Sequence, residues 1–227
     1  MEEDLEIIMK IIVVGDGRIG KTNLITRFAR GTFSQEYKKT LGVDFLQTEK
    51  FLKKHKQEVQ FYIWDTAGQE EYDALTKKYY KGASACILAF STDDKKSFEN
   101  VEKWKSKVEN ECGDLPMVLV QTKYDLKDNQ AFSEEEVSDL QARVGVKLFR
   151  SCSKENINVT EVFEYLGNVF LDEKNAGKGH EESKSQGPVA TIKDIKKAND
   201  PVQKNQVKLS AQKSSEPKKK KKGIFGS

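Results

Sequence analysis

The chain has few cysteines, no long apolar run and no basic start. Its three cysteines, Cys86, Cys112 and Cys152, are odd in number, widely spaced and in no C-x-x-C pair. That argues against a disulfide framework and against a cysteine-based zinc site, and free thiols in a reducing cytosol are the expectation. No apolar stretch approaches the length of about eighteen residues that a membrane span needs. The opening Met1-Glu2-Glu3-Asp4 is acidic, the opposite of a secretory signal, and it lacks the Met-Gly start required for myristoylation. An intracellular protein working in water is expected.

The formal net charge of +3 hides two unlike parts. Residues 1–171 carry more acidic than basic side chains, whereas from Asp172 onward lysine outnumbers Asp and Glu together two to one and arginine is missing. In that second part the apolar pattern stops, and aromatics are absent until Phe225. Such a segment cannot bury enough apolar surface to offset its ordering entropy. The expected organisation is a flexible acidic start (1–6), one folded domain (7–171) and a disordered basic tail (172–227).

What the folded part does have is Gly15-Asp16-Gly17-Arg18-Ile19-Gly20-Lys21-Thr22, the pattern G-x-x-x-x-G-K-[ST], directly after the apolar run Ile11-Ile12-Val13-Val14. A strand delivers such a loop, and glycines let the N–H groups of Gly15, Gly17, Arg18, Ile19 and Gly20 turn toward phosphate oxygens. The next helix then presents its positive end to the anion. Lys21 would reach the outer phosphates, and Thr22 would place its hydroxyl on Mg²⁺.

Strands are expected over Ile7 to Val14, Val43 to Leu52, Glu58 to Trp64, Ser84 to Phe90, Met117 to Val120 and Lys147 to Phe149, the second and third forming an antiparallel hairpin. In the hairpin turn, His55 reads as a solvated residue and not as a ligand. Helices are expected over Lys21 to Arg30, about Tyr72 to Tyr80, Lys96 to Glu109, Ser133 to Val144 and Asn158 to Leu171. Ser133-Glu134-Glu135-Glu136 is a capping box. The polar stretch from Thr32 to Gly42 reads as a mobile loop. Strands alternating with helices predict an α/β fold with a mostly parallel, six-stranded sheet flanked by helices, and ligands at the carboxyl ends of the strands.

A phosphate loop alone serves kinases, ATPases and GTPases alike, so other stretches must decide. Asp65-Thr66-Ala67-Gly68-Gln69 follows a strand. Asp65 could hold Mg²⁺ through water, the Gly68 N–H could meet a third phosphate, and Gln69 both donates and accepts, as the orienting of an attacking water requires. At the end of another strand, Thr122-Lys123-Tyr124-Asp125 offers a carboxylate able to take two N–H donors from a guanine edge, and adenine presents no such pair. Cys152-Ser153-Lys154 would close over the base. Taken singly, each is also an ordinary strand-terminal turn.

These stretches together resemble the Ras superfamily of small GTPases, within the P-loop NTPases, and look most like its Rab branch over residues 7–171. Besides the phosphate loop, the resemblance rests on Tyr37 to Phe45, Trp64 to Glu70, Tyr79-Tyr80-Lys81-Gly82-Ala83 and the turn at Asp125. It implies that Thr40 ligates Mg²⁺ beside Thr22 and senses the third phosphate, that Phe33 packs on guanine, and that Asn23 joins the nucleotide contacts. It further implies that Phe45, Trp64 and Tyr79 form an effector surface. Glu71, Asp73 and the stretch from Ile157 to Phe163 look closest to the Rab subfamily numbered twenty-three, which implies vesicle or ciliary traffic. An exchange factor, a GTPase-activating protein and effectors are the implied partners, and no direct role on nucleic acid is expected.

Several positions depart from the family pattern. Thr122 stands where Asn is usual, Cys152-Ser153-Lys154 replaces Ser-Ala-Lys, and Arg18 occupies a place that is small in many relatives. No cysteine follows Cys152, so the prenyl anchor of Rab proteins is not expected. The run Lys218 to Lys222 after Pro217 leaves three readings open: a solubilising tail, a nuclear import signal, or a patch attracted to anionic membrane. The leading expectation is a GTPase switch, slow without an activating protein, with Lys21 and Gln69 as its catalytic residues. A non-catalytic nucleotide-holding scaffold is the alternative, and a P-loop kinase or ATPase the next.

Overall fold

A computed structural model of the chain describes residues 6–40, 42–66, 68 and 78–177. Six strands form one sheet: β1 (Ile8–Val14), β2 (Val43–Leu52), β3 (Gln57–Thr66), β4 (Ala85–Ser91), β5 (Met117–Thr122) and β6 (Lys147–Arg150). Their order across the sheet is β2-β3-β1-β4-β5-β6. Only β2 and β3 pair antiparallel, with Val43 opposite Thr66 and Leu52 opposite Gln57, and every other pairing is parallel. Parallel crossovers cover both faces with helices, which explains why β4 and β5 are buried at every position and read as apolar runs as far as Phe90 and Val120. Edge strand β2 instead alternates between covered and open positions.

The helices described over their full length are α1 (Lys21–Arg30), α2 (Lys95–Glu99), α3 (Val101–Cys112), α4 (Glu134–Val144) and α5 (Val159–Gly177), with a 3₁₀ turn at Tyr124–Asn129. Helices α1 and α5 seal one face of the sheet, where Phe28 stacks on Phe163 at 4.0 Å and meets the edge of Phe61 at 5.4 Å. Phe90, Phe98 and Phe132 close a second cluster, the last two stacked at 4.3 Å. The chain leaves β1 toward the β2–β3 side and later returns to β4 on the other side of β1. The connections at the carboxyl ends of the strands therefore diverge, and a crevice opens there.

Two helices and the setting of His55 differ from expectation. The single helix predicted over Lys96 to Glu109 is two, α2 and α3, because Asp94 caps α2 by accepting the Ser97 N–H and the side chain of the joint residue Asn100 is drawn to Asp16. The last helix runs to Gly177, so residues 172–177 belong to α5 and not to a disordered tail. Within the extension, Asp172 pairs with Lys54 at 2.5 Å and lies 3.2 Å from His55 Nε2, and the His55 side chain is only 11% exposed, not solvated as predicted. The capping box is as expected, with Ser133 Oγ accepting the Glu136 N–H and Glu136 Oε2 accepting the Ser133 N–H. Residues 178–227 and 1–5, most of the helix expected at Tyr72 to Tyr80, and Gln69 lie outside the described residues.

Candidate functional site

Beyond Val14 the chain turns at Gly15, whose φ of 141° and position against β4 leave room for no side chain, since a Cβ would lie 2.2 Å from the Ala89 carbonyl oxygen. Arg18 and Gly20, at φ 66° and 93°, complete the inward curl. No side chain caps the first turn of α1 and no acidic residue lies in it, so the helix offers N–H groups and a positive end to the crevice. Lys21 is buried and donates to the Gly15 and Asp16 carbonyls, both at 2.7 Å. Burial lowers its pKa to about 8 against the opposing pull of Asp65 and Asp16. The Asp16 carboxylate accepts from Asn100 Nδ2 and Trp104 Nε1, each at 2.7 Å, and so moors the loop to α3.

Beside Lys21, three oxygen-bearing side chains converge from three elements. Thr22 Oγ1 donates to Asp65 Oδ2 at 2.5 Å, and Thr40 Oγ1 lies 3.1 Å from Thr22 Oγ1 and 3.3 Å from Asp65 Oδ2. Asp65 is buried, and its other oxygen, Oδ1, has no protein partner. Burial raises its pKa, opposed by the Thr22 hydrogen bond and the charge of Lys21. A buried carboxylate with an unmatched oxygen between two hydroxyls is a hard-oxygen donor set that fits a divalent cation such as Mg²⁺. Gly68 presses on the loop from the other side, where a Cβ would lie 2.2 Å from the Asp16 carbonyl carbon.

The crevice is one cavity of about 610 Å³. It runs from Lys21, Thr22 and Thr40 past Phe33 to Asp125 and Ser153. Gly17, Arg18, Ile19, Gly20, Asn23 and Gly68 line the first end, with Lys123 and Lys154 at the second. Its shape suits a ligand with phosphates at one end and a base at the other.

A sequence profile of the Ras family matches residues 10–171. This chain belongs to the Ras family. Its relatives place it among the Rab small GTPases. It is 33% identical over 175 residues to the GTP-binding protein Rab-3D of Rattus norvegicus, an alignment covering 77% of this chain and 79% of that one. To Rab-13 of Bos taurus it is 35% identical over 165 residues, 72% and 80% of the two chains, and to Rab-13 of Rattus norvegicus 32% identical over 194 residues, 85% and 94%.

In this Rab-family chain, Thr122 and Cys152 stand one layer behind the cavity lining. Thr122 is buried, with its Oγ1 2.5 Å from the Ile19 carbonyl and 3.0 Å from that of Phe90, so it stitches the phosphate loop to β4. Cys152 is buried too. Its thiol donates to Asp125 Oδ1 at 3.3 Å and accepts from the Glu155 N–H at 3.4 Å, and burial raises its pKa, which keeps it a protonated donor. Gly15 and Asp65 likewise act from behind the lining. Away from the cavity, Phe45 meets the edge of Trp64 at 4.7 Å. Trp64 is buried beneath the Lys10 ammonium, 4.6 Å above its ring, and Tyr79 carries Lys78 at 5.1 Å.

Sequence reasoning named Asn23 and Arg18 for the nucleotide but missed the protein contacts they make, and it missed Asn100 and Trp104 as supports of the loop. Asn23 exchanges hydrogen bonds with the Ser34 backbone, at 2.9 and 3.3 Å, which holds the polar segment against α1. Arg18 lies 5.0 Å from the Tyr37 ring, a cation–π contact from the loop to that same segment. Asn100 and Trp104 hold Asp16 from one helical face, and the signal was their spacing of four, which the apolar stripe of α3 obscured.

Proposed function

We propose that the chain is a GTP-driven switch that binds GTP and GDP with Mg²⁺ and hydrolyses GTP to GDP and phosphate. Its G domain would span residues 7–177. One observation supports this most directly: a single cavity joins the Lys21, Thr22, Thr40 and Asp65 cluster to Asp125. At one end Lys21 neutralises phosphate charge, while Thr22, Thr40 and Asp65 would hold Mg²⁺. At the other, Asp125 accepts the paired N–H donors of guanine, with Phe33 on the wall. Bound there, Mg²⁺ would offset the charge on the phosphate oxygens. Thr40 and Gly68 both touch this end, so the third phosphate would order the segments that carry them and its loss would release them.

Gln69 is assigned the orienting of the attacking water. The described residues show no arginine finger, and an activating protein that supplies one is worth about 10³ to 10⁵ in rate. Effectors would read the surface around Phe45 and Tyr79, with the buried Trp64 supporting Phe45 from beneath and not facing a partner as the resemblance implied, and an exchange factor would reopen the cavity. Traffic of vesicles or cilia is the proposed setting. The relatives compared bear the numbers three and thirteen, and kinship with subfamily twenty-three rests on Glu71, Asp73 and the stretch from Ile157 to Phe163.

Single-turnover hydrolysis with purified protein and Mg²⁺ tests the reading. Slow appearance of GDP, slower still in Gln69→Leu, supports the switch, whereas intact GTP would identify a nucleotide-holding scaffold. Displacement of GTP by equimolar ATP would favour a kinase or ATPase. For Lys218 to Lys222, a fluorescent fusion with and without the run decides the setting: loss of nuclear signal marks import, loss of a membrane pool marks an anionic leaflet, and no change marks a solubilising tail.

A further inference from the structure

Arg27 belongs to no motif and does not line the cavity, yet its guanidinium joins three backbone carbonyls from two distant parts of the chain. Nη1 donates to Gly31 at 2.6 Å, Nε to Ser153 at 2.9 Å and Nη2 to Lys154 at 2.9 Å. A basic residue near a helix C-terminus is ordinarily explained by the helix dipole and the last open carbonyls. The Gly31 bond fits that account. The other two do not, because they leave the helix and cross to a loop more than a hundred residues further along.

That loop is the second end of the cavity. Ser153 and Lys154 line it, and its base is pinned by a two-way backbone bridge between Cys152 and Ile157 at 3.0 and 2.9 Å. The turn between these anchors has one further attachment to α1, and Arg27 supplies it. In a trans peptide the N–H points opposite to the carbonyl. Holding the Ser153 carbonyl against Arg27 therefore fixes the direction of the Lys154 N–H. Gly31, the third acceptor, immediately precedes the segment that carries Phe33 and the opposite cavity wall. Helix α1 begins at Lys21 and Thr22, and Arg27 follows about 9 Å further along its axis. One helix thus ties the phosphate end to both walls of the base end.

We propose that Arg27 is a positioning residue that sets how long the cavity retains its nucleotide, by holding both walls of the base end on α1. This rests on the reading that the cavity binds guanine nucleotide. A planar fork reaches three carbonyls in fixed directions, and a lysine ammonium at the same place cannot. Arg27→Lys keeps the charge and the helix propensity and removes the geometry.

The experiment loads full-length protein with a fluorescent GDP analogue and chases with excess unlabelled GDP. Wild type, Arg27→Lys, and Arg30→Met as an exposed control on the same turn are compared. Release should be about 10- to 100-fold faster in Arg27→Lys, consistent with the loss of one or two charge-assisted bonds. Arg30→Met should match wild type. Affinity for inorganic pyrophosphate, a ligand of the phosphate end alone, should stay within about twofold of wild type in Arg27→Lys, which separates positioning of the base end from general loosening of the cavity. Release at the wild-type rate overturns the inference, as does faster release accompanied by an equal loss of pyrophosphate binding. Failure of wild type to retain the analogue overturns the nucleotide reading itself, and this inference with it.

Discussion

The two ends of the cavity differ in how much choice of residue they leave. At the phosphate end, Gly15 and Gly68 each touch backbone so closely that a Cβ would overlap it, and Lys21 and Asp65 are buried charges whose pKa values burial shifts in opposite directions. Sterics and desolvation prescribe the residue types there. At the base end, Asp125 is oriented by a thiol where a hydroxyl would also serve, and the loop hangs from backbone carbonyls held by Arg27. A carbonyl is available at any residue, so the loop at Ser153 and Lys154 depends little on the identity of its side chains.

The contrast can be broken most sharply at Lys21. Lys21→Met removes a buried cation at the place where phosphate charge would sit, and GDP affinity should fall about 10²- to 10⁴-fold, the worth of two charge-assisted hydrogen bonds. Equilibrium titration with labelled GDP measures it, and a change below threefold would remove the phosphate end from the binding account.

At the opposite end, Asp125→Asn should weaken GDP binding by about 10- to 300-fold, because one charged acceptor is lost and a guanine donor is left unmatched. Binding of a ligand with phosphates but no base, such as inorganic pyrophosphate, should be untouched by that change. If both ligands weaken equally, the two ends are not independent.

A buried lysine outside the cavity calibrates the electrostatics. Lys10 donates to the Lys81 carbonyl at 2.7 Å, and burial lowers its pKa from 10.5 to about 8, with Cys112 pulling the other way. Its folded pKa lies below its unfolded one, so between about pH 8 and 10.5 the unfolded chain binds more protons and stability rises with pH. Lys10 does not line the cavity, and protein loaded with nucleotide should still gain on the order of 1 kcal/mol through it between pH 8 and 10. Urea unfolding at the two pH values should show a smaller gain in Lys10→Met, and an unaltered gain would clear Lys10 of the effect.

The smallest expected change tests how exchangeable the base end is. Cys152→Ser replaces a weak S–H donor to Asp125 with a stronger O–H donor, and GDP should bind about two- to fivefold tighter. Weaker binding would mean that the longer sulfur contact sets the Asp125 geometry.

Legibility followed the same division. The strand, glycine loop and Lys-Thr pair were readable because their constraints act over neighbouring residues, as was the capping box at Ser133. The mooring of Asp16 by Asn100 and Trp104, the break between α2 and α3, the pairing of Asp172 with Lys54 and His55, and the reach of Arg27 were not. Each joins residues tens of positions apart through polar side chains of kinds that any surface helix or turn carries.

By itself, the amino-acid order determined the alternation of strands and helices, the phosphate loop and the chemical types that surround it, since hydrophobic period, glycine freedom and helix capping act within a few residues. The tertiary structure alone decided which side chains face the cavity and which support it from behind. Sheet order brings the turns after β1, β3, β5 and β6 together at one edge, and only there do Thr22, Thr40 and Asp65 become a single oxygen cluster and Arg27 a partner of Ser153.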